Sequence, residues 1–166
     1  AYIDDMVLVE RDSETGKTLL ASYEAQSADA YESSAVIIDE FEDTSKIYEL
    51  DNAKWKLIPE NITDGTPAIE KSSKDSAYLV YKVDGVKAIK LEIAHKGEHG
   101  IKLYYSADGK EWKDKKIHTF TSGTKGDYTI STVINSGEID PNCNFVKVEL
   151  PDGEGDTTII ERAEVY

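Results

Sequence analysis

Apolar and polar residues alternate along much of the chain, most clearly between Ala77 and Trp112 (AYLVYKVDGVKAIKLEIAHKGEHGIKLYYSADGKEW). Three runs, Leu79/Tyr81/Val83, Ile89/Leu91/Ile93 and Ile101/Leu103/Tyr105, are punctuated by Asp84-Gly85, by Lys96-Gly97-Glu98-His99-Gly100 and by Asp108-Gly109. A period of two broken by Gly and Asp predicts antiparallel strands joined by tight connections, each with one face in a core. This stretch is expected to be a meander around which the remaining strands assemble.

Similar signals flank it. Val36-Ile37-Ile38 is expected to enter a buried strand, with Phe41 as an apolar plug; Ile47 to Leu50 and Trp55 to Ile58 are short strands around the turn Asp51-Asn52. A polar loop, Pro59 to Ser76, contains a short strand at Ala68-Ile69-Glu70. Further on come His118-Thr119-Phe120, a turn over 122–127, Tyr128-Thr129-Ile130, the alternating Phe145 to Leu150 (FVKVEL), and Thr158 to Tyr166. Many short strands with almost no helical periodicity predict an all-β fold, an antiparallel β-sandwich of jelly-roll type. Residues 1–10 (AYIDDMVLVE) are strand-like, either the tail of a preceding module or a first strand of this one, and 11–34 are polar and linker-like. The expected division is therefore an N-terminal segment, 1–34, and a sandwich module, 35–166.

Composition narrows the partners. The chain has 166 residues, enough for one good core, and carries 33 acidic against 19 basic residues, a formal net charge of -14. Such a chain repels phosphate backbones and anionic lipids, which argues against nucleic-acid or membrane-surface partners. It argues equally against a strongly anionic polysaccharide unless basic residues cluster locally. No apolar run has the roughly 18 residues needed to cross a bilayer. The single cysteine, Cys143, has no intrachain partner and is expected to be a small buried residue. The chain starts at Ala1 with no initiator methionine or signal sequence, and is expected to be part of a longer polypeptide.

The ordered set Asp39-Glu40-Phe41-Glu42-Asp43, Ser45-Lys46-Ile47-Tyr48, YLVYKVDGVKAIKLEI, KLYYSADGKEW, FVKVEL and IIERAEVY resembles the galactose-binding-like β-sandwich modules of bacterial polysaccharide-degrading enzymes, over residues 35–166. The resemblance implies a secreted, extracellular, non-catalytic carbohydrate-binding module. It would hold a glycoside hydrolase or polysaccharide lyase on a polysaccharide, a neutral plant or microbial glycan being favoured. Its partners would be that polysaccharide and the other modules of the parent chain. It also implies a structural calcium where first and last strands approach, with Asp39, Glu40, Glu42 and Asp43 at one end and Glu161 or Glu164 at the other. Calcium takes six to eight oxygen ligands, and the acidic loop Asp152 to Asp156 is a second, mainly solvated, cluster.

Modules of this kind bind sugars by stacking aromatic rings on apolar pyranose faces, assisted by polar side chains. If Leu79, Tyr81 and Val83 face the core, Tyr78 points outward, and Tyr104 likewise lies opposite Leu103 and Tyr105. Trp55, Tyr78, Tyr104 and Tyr48 are the candidate platform residues, and His99, at a loop tip, is a candidate ligand contact. Trp112, closing the turn Ser106 to Trp112, is expected to pack beneath that turn. His95, His99 and His118 form no metal pattern, because Gly97 and Gly100 prevent a helix that would place 95 and 99 on one face. No nucleophile elbow or phosphate-cradling loop occurs, and scattered carboxylates do not make an enzyme. The competing function, from a different class, is a structural spacer or protein-docking module with no sugar site.

Overall fold

The alternating runs become strands in two antiparallel sheets. In a computed structural model, which describes residues 35–152 and 158–166, the larger sheet has the order β3 (Trp55–Ile58), β4 (Ala68–Lys71), β12 (Thr158–Val165), β6 (Ile89–His95), β10 (Tyr128–Asn135) and β9 (Ile117–Lys125). A further strand, β1 (Ile37–Asp39), also pairs with β12. The smaller sheet has the order β2 (Glu49–Leu50), β5 (Ala77–Lys82), β11 (Phe145–Leu150), β7 (Lys102–Ser106) and β8 (Lys113–Lys115). The expected strand at 1–10, the linker to 34 and most of the acidic loop after Asp152 lie outside the described residues.

Inward residues of both sheets meet in one core. Leu79, Tyr81 and Val83, Ile89, Leu91 and Ile93, Ile101 and Leu103, Val146, Val148 and Leu150, and Ile160, Ala163 and Val165 all belong to it. Period-two alternation thus identified the inward residues correctly, and the all-β antiparallel sandwich is the fold. Cys143 is a free, buried cysteine beside this core, and burial raises its thiol pKa.

The meander is corrected. β5, β6 and β7 are consecutive in the chain, yet β6 lies in the larger sheet while β5 and β7 flank β11 in the smaller. The Asp84-Gly85 connection therefore passes between sheets. The reason is physical: alternation marks the face a strand buries, and both sheets bury a face against the same core. Only β7 and β8 form a hairpin within this stretch, across Asp108-Gly109. The turn expected over 122–127 narrows to Gly126-Asp127, because β9 runs on to Lys125 opposite Tyr128. β1 is also less buried than expected, with Val36 and Ile38 exposed, while Phe41 does plug the core at 1% exposure.

Phe41 adopts a left-handed backbone conformation, φ 58°, uncommon for a bulky side chain. Asp39 holds it there: one carboxylate oxygen accepts the Phe41 N–H at 2.9 Å and the other accepts the Tyr81 hydroxyl at 2.9 Å, both buried. The β1 end of the core is thus fixed by a satisfied polar pair under the plug.

Candidate ligand-binding face

Strand β11 determines what the outer face of the smaller sheet presents. Its Val146, Val148 and Leu150 point into the core, so Phe145, Lys147 and Glu149 point away from it. Antiparallel register then sets their neighbours: Lys147 lies opposite Val80 on β5 and Tyr104 on β7, and Glu149 lies opposite Tyr78 and Lys102. Tyr78 and Tyr104 share the outer face with Lys147, and Glu49 joins them from β2, opposite Val80.

Lys147 is the centre of this arrangement. Its Nζ lies over three rings, 5.0 Å from the centroid of Tyr78, 4.9 Å from Tyr104 and 4.5 Å from Trp112. Carboxylates fix the two tyrosines. The Tyr78 hydroxyl donates to Glu49 Oε2 at 2.6 Å and the Tyr104 hydroxyl to Glu149 Oε1 at 3.0 Å. The Glu49 hydrogen bond raises the pKa of Tyr78, and burial, then the Glu149 bond, raises that of Tyr104, so both stay protonated donors.

The third ring is set by the β7–β8 turn. Asp108 Oδ1 accepts the N–H groups of Lys110 and Glu111 at 2.8 and 3.0 Å, and the Ser106 hydroxyl bonds to it at 3.1 Å. These bonds to the charged form, those from Glu111 and Lys110 foremost, lower the pKa of Asp108. Gly109 sits at φ 78°, and a Cβ there would meet the Phe145 ring at 3.3 Å. The turn delivers Trp112 half-buried against Lys147 rather than wholly beneath the turn.

A second cluster continues the face two residues along β11. Tyr48, 57% exposed, packs edge-on against Phe145 at 5.3 Å, and Lys82 Nζ lies 5.4 Å from the Tyr48 centroid and 5.7 Å from that of Phe145. The face thus carries five aromatic rings grouped around two lysines, with acids between them. Rigid rings with amphipathic edges, flanked by acceptors and donors, suit a ligand with both C–H faces and hydroxyls.

Of the residues expected to form a platform, Tyr78, Tyr104 and Tyr48 lie on this face and Trp55 does not. Trp55 is 5% exposed, part of the core, and its Nε1–H donates to the Tyr78 carbonyl at 3.1 Å. It opens edge strand β3 and turns inward, so it offers no ring face to a ligand; it supports Tyr78 from behind. His99 is bonded toward the larger sheet. Its Nδ1 accepts the Ile101 N–H and its Nε2 meets Thr119 Oγ1, both at 2.9 Å, the latter on β9 of the opposite sheet. Burial and neighbouring His95 push its pKa down to about 4. The residues missed from sequence are Lys147, Glu149, Glu49 and Phe145. The outward phase of FVKVEL carried the signal for three of them.

The expected calcium set does not converge. Asp39, Glu40, Glu42 and Asp43 line a cleft of about 360 Å³, but Lys46 and Arg162 line it too, and Glu161 does not. Asp39 is used by Phe41 and Tyr81, Glu40 pairs with Arg162, and Asp43 accepts the Ser45 N–H at 2.9 Å. Glu161 sits at a β-bulge in β12 and faces the loop after β3, accepting the Ile62 and Thr63 N–H groups at 3.0 and 3.3 Å and the Thr63 hydroxyl. Among the described residues, no three or more His, Cys, Asp or Glu side chains gather as a metal would require. Asp39, Glu40, Asp43 and Glu161 are thus already bonded within the protein, and Glu161 stands apart from the other expected ligands.

No family model matches the chain, and no curated protein matches it. Solved structures do resemble it, and several are carbohydrate-binding modules. One is TmCBM61 in complex with beta-1,4-galactotriose, 17% identical, with 75% of this chain and 90% of that one covered and a TM-score of 0.43. Another is CsCBM6-3 from Clostridium stercorarium in complex with cellobiose, 9% identical, covering 78% and 92%, TM-score 0.47. A third is the CBM22-1-GH10 part of Clostridium thermocellum xylanase 10B complexed with xylohexaose, 15% identical, covering 80% of this chain and 28% of that one, TM-score 0.48.

Proposed function

We propose that the chain is a non-catalytic carbohydrate-binding module that holds a secreted glycoside hydrolase or polysaccharide lyase on a largely neutral polysaccharide, through the outer face of the smaller sheet. One observation carries this reading: Tyr78, Tyr104 and Trp112 are fixed around Lys147 on an open sheet face, their positions set by Glu49, Glu149 and the Asp108 turn. Rings held in advance lose little conformational entropy on binding, which favours a module of modest contact area. Weak contact of this kind acts by keeping a tethered enzyme at high effective concentration near its substrate.

Affinity electrophoresis against mannans, β-glucans, xylans and pectins tests it. At least one polymer should retard the protein, and Trp112→Ala should weaken that retardation roughly tenfold, the cost of losing an aromatic anchor of a binding face. The variant's melting temperature should stay close to that of the parent, since Trp112 lies outside the core cluster. Migration unchanged by every polymer would defeat the reading.

A further inference from the structure

Among the described residues, no carboxylate pairs with the Lys147 ammonium, and its only close partners are the three rings. The chain does not lack carboxylates, having 33 acidic residues. Three lie on strand positions of the same face, and two of them are turned elsewhere: Glu149, two residues along β11, accepts the Tyr104 hydroxyl, and Glu49 accepts that of Tyr78, while the third, Asp114 opposite Tyr104 on β8, makes no ion pair with Lys147. Glu149 and Glu49 therefore keep the rings in place and leave the ammonium's N–H donors to whatever settles on the face.

We propose that Lys147 docks the carboxylate of a uronic acid unit borne by an otherwise neutral glycan; this rests on the sugar-binding reading of the same face. Set over three ring faces, the ammonium is held in position, which favours a charge-assisted hydrogen bond to a carboxylate. Local charge permits the contact. On strand positions of this parity, Lys82, Lys102 and Lys147 stand against Glu49, Glu149 and Asp114, three against three, within a chain of net charge -14. A polymer charged at every residue would still meet repulsion from the rest of the protein, so the fitting ligand carries widely spaced carboxylates.

The test uses the whole chain and a panel of xylan-, mannan- and pectin-type polysaccharides bearing uronic acids, each paired with its carboxyl-reduced form. Reduction turns the carboxylate into a neutral hydroxymethyl group and leaves the backbone intact. Wild type should bind at least one native polymer roughly tenfold more tightly than its reduced form, with the gap shrinking as salt rises. Lys147→Gln should bind the two forms equally, and a melting temperature close to that of the parent shows that it folds. Lys147→Arg, which keeps the charge, should retain the preference. Equal binding of native and reduced forms by wild type, or a preference that survives Lys147→Gln, would overturn the inference and leave the sugar-binding reading intact. Binding to no polymer of either form would overturn both.

Discussion

The two outer faces of this sandwich are built from the same alternating strands and finished in opposite ways. On the larger sheet the protein covers itself. Ala68, Ala94 and Ile159 form a second apolar cluster, joined by Ile58, Ile62, Tyr128 and Ile130, and the loop after β3 folds back over it. Glu161 fastens that loop, and Lys125 adds a bond to the Thr63 carbonyl at 3.1 Å. Nearby, Arg162 is shared between Glu40 and Glu164. On the smaller sheet, by contrast, Tyr48 and Tyr78 are exposed and Tyr104, Trp112 and the central lysine only half-covered. One face satisfies its own groups, and the other keeps donors and ring edges for something else.

The two tryptophans give the strongest test of this contrast, because they belong to opposite categories. Trp55→Ala should destabilise the fold by about 3–5 kcal/mol, the usual cost of emptying a core aromatic site, and a chemical or thermal melt reads it directly. It also strips the Tyr78 carbonyl of the indole N–H it accepts. Trp112→Ala should do the reverse, weakening ligand retention with little change in the melt. If Trp55→Ala left stability unchanged while abolishing binding, the assignment of the two faces would be wrong.

Glu161 probes the closed face. Its carboxylate, 6% exposed, takes three hydrogen bonds from the Ile62–Thr63 segment, so Glu161→Ala leaves two backbone donors poorly served beneath the loop. A loss of about 2–3 kcal/mol is expected, with sugar retention unaffected. A parallel loss of retention would show that the two faces are coupled.

Both tryptophans lie in sequence patterns of similar strength, and that marks the limit of what the sequence conveys. Strand positions and inward residues were legible from Leu79/Tyr81/Val83 to Ile89/Leu91/Ile93, because burial on a pleated strand imposes a period of two. Sheet membership was not legible, since β5 and β6 bury equivalent faces against one core from opposite sides. Trp55 was misplaced because it opens an edge strand, where alternation is too short to set its phase. Tyr78 and Tyr104 were placed outward correctly because their strands are long enough. Lys147 escaped notice because a lysine in outward phase is the common solvated case; only register showed that three rings from separate strands and a turn converge on it.

The smallest effect expected is a pH dependence confined to the closed side. His99 has its pKa pushed down to about 4 by burial and by His95, against an ordinary 6.5. The folded state therefore binds fewer protons than the unfolded chain between these values, and stability follows the proton difference. The contribution is complete above pH 6.5 and is lost as pH falls toward 4. After discounting for its partial exposure it amounts to about 1–2 kcal/mol. His118 is lowered by burial and acts in the same direction, whereas Glu92, raised by burial, gains stability on protonation and opposes both. Unfolding free energies of wild type and His99→Asn, measured from pH 4 to 7, separate these contributions. The variant should be less stable at pH 7, and its stability should fall less steeply toward acid. Parallel curves would mean that burial and His95 do not hold His99 neutral in the folded state, and that this end of the sandwich is more open to water than its packing indicates.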